Sequence, residues 1–227
     1  QENVSEGEVA VYITVENSGP EIVWVNITTD DSSAEGVQVM PNVEMEKEVS
    51  LEVLVNDTNG FEDVEKVTVN VNNRTYNLTL SGNVSEDAAI FRGNFLMDYY
   101  DLAGDYTVDL TVSDSDETTV TNSSFEYLGL LSTELNITSL SLSMEAGDYE
   151  EASVSVLNKG NVLVDTEVSA EDFVADENSF GSENVEVYNN EWLALDSTIS
   201  LDLNLNPLEE SALLFRFYVP REVEVGD

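Results

Sequence analysis

The chain has 227 residues with 47 acids against 7 bases, a net charge of −40, and neither Cys nor His. That composition removes disulfides, thiol nucleophiles, zinc and iron–sulfur sites and the usual general base. An acidic surface of this density also repels phosphate backbones and anionic membranes, so nucleic acid is not an expected partner.

The acids are spread along the whole chain and only three residues are Lys. Such a surface suits a high-salt, halophilic habitat, where screening shortens self-repulsion, or neutralisation by Ca²⁺. Hydrophobic residues make up 41%, enough for packed cores, and this length accommodates two domains of ordinary size. No run is long and apolar enough for a membrane-spanning segment, and no signal peptide is legible.

The first element in chain order is Gly7–Asn17, GEVAVYITVEN. Val9, Val11, Ile13 and Val15 are β-branched and share one face of an extended chain, the pattern of a half-buried strand. Ser18-Gly19-Pro20 then separates it from the next strand, so residues 1–19 read as an arm in need of a sheet.

Short alternating strands come next at Glu21–Thr29, Val37–Met40 and Glu48–Asn56, the last with Val49, Leu51, Val53 and Val55 on one face. Val64–Asn72 and Tyr76–Leu80 flank an Asn-Asn hairpin signal, and Ala89–Met97, Asp105–Ser113 and Val120–Tyr127 complete the set. No segment has a helical period. An immunoglobulin-like β-sandwich over residues 20–131 is the expected product.

In residues 132–227 strands are expected at Thr138–Met144, Ala152–Leu157, Val162–Ser169, Asn184–Tyr188, Thr198–Asn206 and Ala212–Val219. Asn158-Lys159-Gly160-Asn161 reads as a hairpin turn, and Glu171–Ser182 as a long loop or one helical turn. Thr198–Asn206 has the clearest alternation. A second sandwich that lacks its last strand is expected here. The fold class is therefore all-β, two immunoglobulin-like sandwiches in tandem behind an N-terminal extended strand.

Pro20–Val25, Val49–Gly60 with its D-x-N-G, and Tyr100–Val112 (YDLAGDYTVDLTV) resemble immunoglobulin-like repeats of archaeal cell-surface, S-layer-type proteins. The A-G-D at 146–148, the V-x-N-x-G-N at 156–161 and Val219-Pro220 are similar to domains of secreted archaeal proteins. They are distantly like TasA-type biofilm fibre subunits and archaeal bundling pilins. In such domains a Val-Pro strand usually leads into a turn and a last alternating strand. Here the sequence reaches Gly226-Asp227 where that strand would begin, while Gly7–Ile22 looks like such a strand placed at the other end.

The resemblance thus implies donor-strand complementation, in which the arm of one copy fills the open sandwich of the next. The expected acceptor groove is Leu213, Phe215, Phe217 and Val219, with the arm reaching the edge beside Ala212–Val219. Burying the four arm residues would contribute roughly 6–12 kcal/mol before ordering costs. Donor and acceptor surfaces differ, so the contact propagates into an open homopolymer.

Asn3, Asn26, Asn56, Asn73, Asn77, Asn83, Asn122 and Asn136 head N-x-S/T sequons and none lies after Asn136. They are candidates for N-linked glycans on a secreted glycoprotein, with Asn26 and Asn77 ranked lower because they fall in strands. Asp57, Asn59, Glu62 and Asp63 around Gly60 form a candidate Ca²⁺ cluster, and Asp114, Asp116 and Glu117 a second. Neither fits an EF-hand loop, and a solvated turn is the favoured reading of both. Trp24, Trp192, Phe91, Phe95, Phe215 and Phe217 are expected in cores, and Tyr99-Tyr100 as a contact patch or tyrosine corner. Asp98 and Asp101 imitate a glycosidase pair, but nothing in the sequence sets them at the required spacing. No catalytic residue is expected.

The leading expectation is a structural subunit of an extracellular, cell-surface filament built from copies of itself. The alternatives are an immunoglobulin-like fragment of a longer S-layer or surface glycoprotein, and an adhesin-type binding module. The last requires an exposed aromatic platform.

Overall fold

A computed structural model describes residues 16–175 and 178–221. Val9, Val11, Ile13, Val15 and Asn3 lie outside the described residues. The described chain is all-β, with strands in several sheets and no α-helix. No helix among the described residues is long and apolar enough to cross a membrane.

The first strands are β1 (Glu21–Ile27), β2 (Gln38–Val39), β3 (Lys47–Asn56), β4 (Lys66–Val71), β5 (Arg74–Asn83), β6 (Ala88–Met97), β7 (Gly104–Ser113) and β8 (Thr118–Tyr127). They are hydrogen-bonded in the order β1-β3-β6-β5-β4-β7-β8-β2. Alternation explains β3 directly: Val49, Leu51, Val53 and Val55 are all buried and the residues between them are not. The β4–β5 hairpin turns on Asn72 and Asn73, both at positive φ, which a tight two-residue turn requires and Asn tolerates.

β5 changes partners along its length. Arg74–Leu78 pairs with β4, and Thr79–Asn83 pairs with β6 across a register shift at Leu80/Gly82. One long strand therefore belongs to two layers, a sandwich arrangement.

Trp24 corrects one expectation. A bulge between Ile22 and Trp24 shifts the register of β1, so its alternation inverts: Ile27 is buried and Trp24 is exposed. Phe91 and Phe95 are buried as expected.

Two compact units can be distinguished, and neither is one continuous stretch. The first comprises 16–28, Ser50–Phe95 and Thr107–Ser124. Its core is built from Leu51, Val53, Val55, Val67, Val69, Val71, Phe95, Val108 and Leu110. The second comprises Thr29–Val49, Leu96–Tyr106 and 125–221. In it Tyr106 stacks on Phe125, and Tyr127 meets both rings edge to face. A tyrosine-corner bond is made by Tyr106, whose hydroxyl donates to the Leu102 carbonyl at 2.8 Å; the sequence points instead to Tyr99 and Tyr100. Those two meet edge to face.

The remaining strands of the second unit are β9 (Thr133–Leu135), β10 (Tyr149–Asn158), β11 (Glu167–Val168), β12 (Phe173–Ala175), β13 (Asn178–Phe180), β14 (Val185–Asn189), β15 (Glu191–Ala194), β16 (Ile199–Ser200) and β17 (Glu210–Tyr218). Five form one sheet in the order β15-β14-β17-β10-β9; β11 pairs with β16 and β12 with β13. The core between these layers contains Val156, Val164, Val185, Val187, Leu195, Leu201, Leu205 and Leu213.

Three expectations change here. Residues 136–148, which include Thr138–Met144, belong to no strand. Thr198–Asn206 is strand only at Ile199–Ser200, because Asp202 and Asn204 adopt positive φ. The Asp165 carboxylate also captures the Leu203 N–H at 3.1 Å. Leu201 and Leu205 are nevertheless buried, and each keeps a backbone hydrogen bond, to Thr166 and Val164, so the alternation reported burial and isolated pairing without a continuous strand. Glu171–Ser182 contains the short β12–β13 hairpin instead of only a loop or helical turn.

Candidate functional site

The apolar feature of the second unit lies on the inner face of the five-stranded sheet. A cavity of about 470 Å³ has Val154, Val185, Phe215 and Phe217 as its floor and Leu140, Ala170 and Phe173 among its walls. A neighbouring cavity of about 360 Å³ is lined by Leu140, Leu142, Met144, Phe173, Phe217 and Val219. A third of about 350 Å³ adds Leu135, Ile137, Val168 and Leu213. Leu140 is common to all three, so they form one groove.

All four expected acceptor residues line this groove. Its position differs from the expected one, however. β17 lies inside its sheet, paired along its length with β10 and through 215–217 with β14. Over 215–217 the strand offers a face and not a free edge. The gap lies in the opposite layer, between 138–144 and 169–172, neither of which forms a strand. Leu140 is 44% exposed and Phe173 38%, a large apolar exposure on so acidic a chain.

On the outer face of the same sheet Arg216 lies over the Trp192 ring at 3.9 Å and near the Tyr149 ring at 5.2 Å. Its guanidinium donates to Glu151 Oε1 through Nη2 at 2.7 Å and Nε at 3.2 Å. Trp192 therefore packs under Arg216 outside the core, which corrects the expectation for this residue. Tyr149, Tyr188 and Tyr218 are exposed around it. The cluster was not legible in the sequence, because register alone assembles residues from β10, β14, β15 and β17. The arginine covers one face of the Trp192 ring, while Tyr149, Tyr188 and Tyr218 stay exposed.

The acidic feature belongs to the first unit. The two candidate Ca²⁺ clusters, separate in sequence, contribute to one place: single carboxylate oxygens of Asp57, Asp63 and Asp114 lie within 4.8 Å of one another. Asp57 is 1% exposed and Asp114 7%. The Asp57 Oδ1 accepts the Asn59 N–H at 2.9 Å, whereas its Oδ2 is buried without a partner. The Asp114 Oδ1 accepts the N–H groups of Glu117 and Asp116 at 2.6 and 2.8 Å. Those two bonds hold its carboxyl below the ordinary value.

Glu62, Asp116 and Glu117 are exposed. The Asn59 side-chain oxygen is occupied by the Ser18 N–H at 2.8 Å and hydroxyl at 2.7 Å. Asn17 Nδ2 donates to the Asp114 Oδ2 at 3.0 Å. Gly19 runs so close to Glu117 that a Cβ would come within 2.8 Å of the Glu117 Cβ. The segment at 16–20 is thereby fastened to the two acidic loops.

Among the sequons, Asn26, Asn73, Asn77, Asn83, Asn122 and Asn136 are exposed and Asn56 is half-buried. Asn26 and Asn77 face outward from their strands, so lying in a strand does not hide them. Asn136 uses its Oδ1 to accept the Ser155 N–H at 2.8 Å, which leaves the amide nitrogen for a glycan. Asp98 and Asp101 form a turn in which the Asp101 carboxylate accepts the Asp98 N–H at 2.8 Å.

No protein-family model matches the chain, and no curated protein matches it. Among solved structures, a protein of unknown function from Porphyromonas gingivalis W83 is similar at 13% identity, over 88% of this chain and 83% of that one. Its TM-score of 0.22 is too low to carry fold or function across.

Proposed function

We propose that the chain is a structural subunit of an extracellular filament, assembled when the Gly7–Asn17 strand of one copy enters the apolar groove of the next. One observation carries this reading. The groove over Phe215 and Phe217 has a sheet for its floor, yet its opposite layer has no strand at 138–144 or 169–172. An added strand would cover exposed apolar side chains and find backbone outside any strand on either side.

The chain itself contains a segment of matching chemistry. Val9, Val11, Ile13 and Val15 recur with period two, so all four side chains can point at one apolar floor. Nine extended residues reach about 30 Å. In this reading each domain is an immunoglobulin-like sandwich, the second completed in trans, and no catalytic role is assigned. The exposed sequons and the −40 charge suit a glycosylated, acidic exterior facing concentrated salt.

The test is assembly by purified full-length chain, followed by sedimentation and electron microscopy. Replacing both Val11 and Ile13 with Asp, or deleting residues 1–17, should leave folded monomers that do not elongate. Unchanged polymers would overturn the reading. So would a wild-type chain that remains monomeric with its own arm in its own groove.

A further inference from the structure

We infer that Asp57, Asp63 and Asp114 form a Ca²⁺ site in the first unit. Acids in turns are ordinary on a chain of this charge, and clustering alone would carry nothing. Asp57 differs from the others. It is buried to 1% exposure, its Oδ1 is already engaged by the Asn59 N–H, and its Oδ2 has no partner. A buried carboxylate oxygen is costly unless something compensates it. The nearby ionisable groups that face it, Asp63 and Asp114, carry the same sign. A cation supplies the missing partner for Oδ2 and removes the repulsion among the three carboxylates.

Ligand type and loop shape select the ion. Every contributing atom is a carboxylate oxygen, which excludes the soft metals that prefer sulfur or imidazole. The carboxylates come from two loops, not from a rigid octahedral cage, and one is half-exposed, leaving room for water. Such a flexible oxygen site suits Ca²⁺ better than Mg²⁺. Because Asp114 also accepts from Asn17, the bound ion would hold the 57–63 loop, the 114–117 turn and the root of the N-terminal arm together. The site is independent of the groove, so either proposal can fail without the other.

The experiment is calorimetric titration of the full-length chain with CaCl₂ in concentrated KCl, which screens diffuse binding by the other acids. One saturable equivalent is expected, and saturating Ca²⁺ should raise the melting temperature by linkage. Asp63→Asn sits at a half-exposed position and should preserve the fold while weakening binding about tenfold or more. Asp57→Asn should do the same and should also narrow the difference in melting temperature with and without Ca²⁺. Glu62→Gln and Asp116→Asn remove an equal charge from exposed neighbours and should leave binding unchanged. Absence of a saturable equivalent overturns the site, as does equal binding by wild type and Asp63→Asn. An equal response to MgCl₂ overturns the assignment to Ca²⁺.

Discussion

Asn161 and Leu130 hold each other reciprocally. The Leu130 N–H donates to Asn161 Oδ1 at 2.6 Å, and the Asn161 N–H donates to the Leu130 carbonyl at 3.0 Å. The Asn161 Nδ2 adds a bond to the Leu128 carbonyl at 3.0 Å. Asn161 is fully buried, so water cannot replace these bonds. Asn161→Ala leaves one backbone donor and one acceptor unpaired and should cost about 2–4 kcal/mol in urea unfolding. Asn161→Asp keeps the acceptor and forfeits the donor. Gly160→Ala should be comparably harmful, because its Cβ would lie 2.1 Å from the Leu130 carbonyl oxygen.

Arg216 joins packing and charge at one outer position. Lys in its place keeps the charge but loses the planar stack on Trp192 and the two-nitrogen contact with Glu151. The pair is partly solvent-exposed, so Arg216→Lys should destabilise by only about 1 kcal/mol. Tryptophan fluorescence should change with it, since the ring beneath becomes more accessible to quenchers. An unchanged spectrum together with unchanged stability would show that the stack contributes nothing.

Asp31 gives the fold a local acid sensitivity. Burial pushes its carboxyl up, but the hydrogen-bonded Lys47 ammonium and the Met40 N–H outweigh burial and hold it below the ordinary 3.8. The folded state therefore binds its proton more weakly than the unfolded state does. The resulting stability is fully present above the unfolded value of 3.8 and is lost as pH falls through the lower folded value. The wild type's advantage over Asp31→Asn should be constant near neutrality and shrink below pH 3.8, as read by melting temperature.

Net charge should make the molecule sensitive to salt. At −40 the folded surface repels itself more than the expanded chain does, and the screening length falls from about 10 Å at 0.1 M to about 3 Å at 1 M. The melting temperature should rise with KCl over that range. A flat response would mean that the folded surface repels itself no more than the unfolded chain does.

The sequence by itself determined the all-β class and most of the strands before Thr133. In β3, β6 and β7 the side-chain period and the burial period are the same, because a strand with one buried face exposes alternate residues to one environment. It also determined what chemistry is absent, since no fold supplies a thiol or an imidazole the chain lacks.

Tertiary structure decided the rest. A bulge inverted β1 and turned Trp24 outward; two positive-φ residues and the Asp165 carboxylate ended a strand that the Leu201–Leu205 alternation implied. Only folding brought Asp57 and Asp63 beside Asp114 and placed Trp192 under Arg216. Alternation is a local property that reports which side chains are buried. Backbone pairing and carboxylate convergence depend on distant segments meeting, and no short stretch encodes the separation between them.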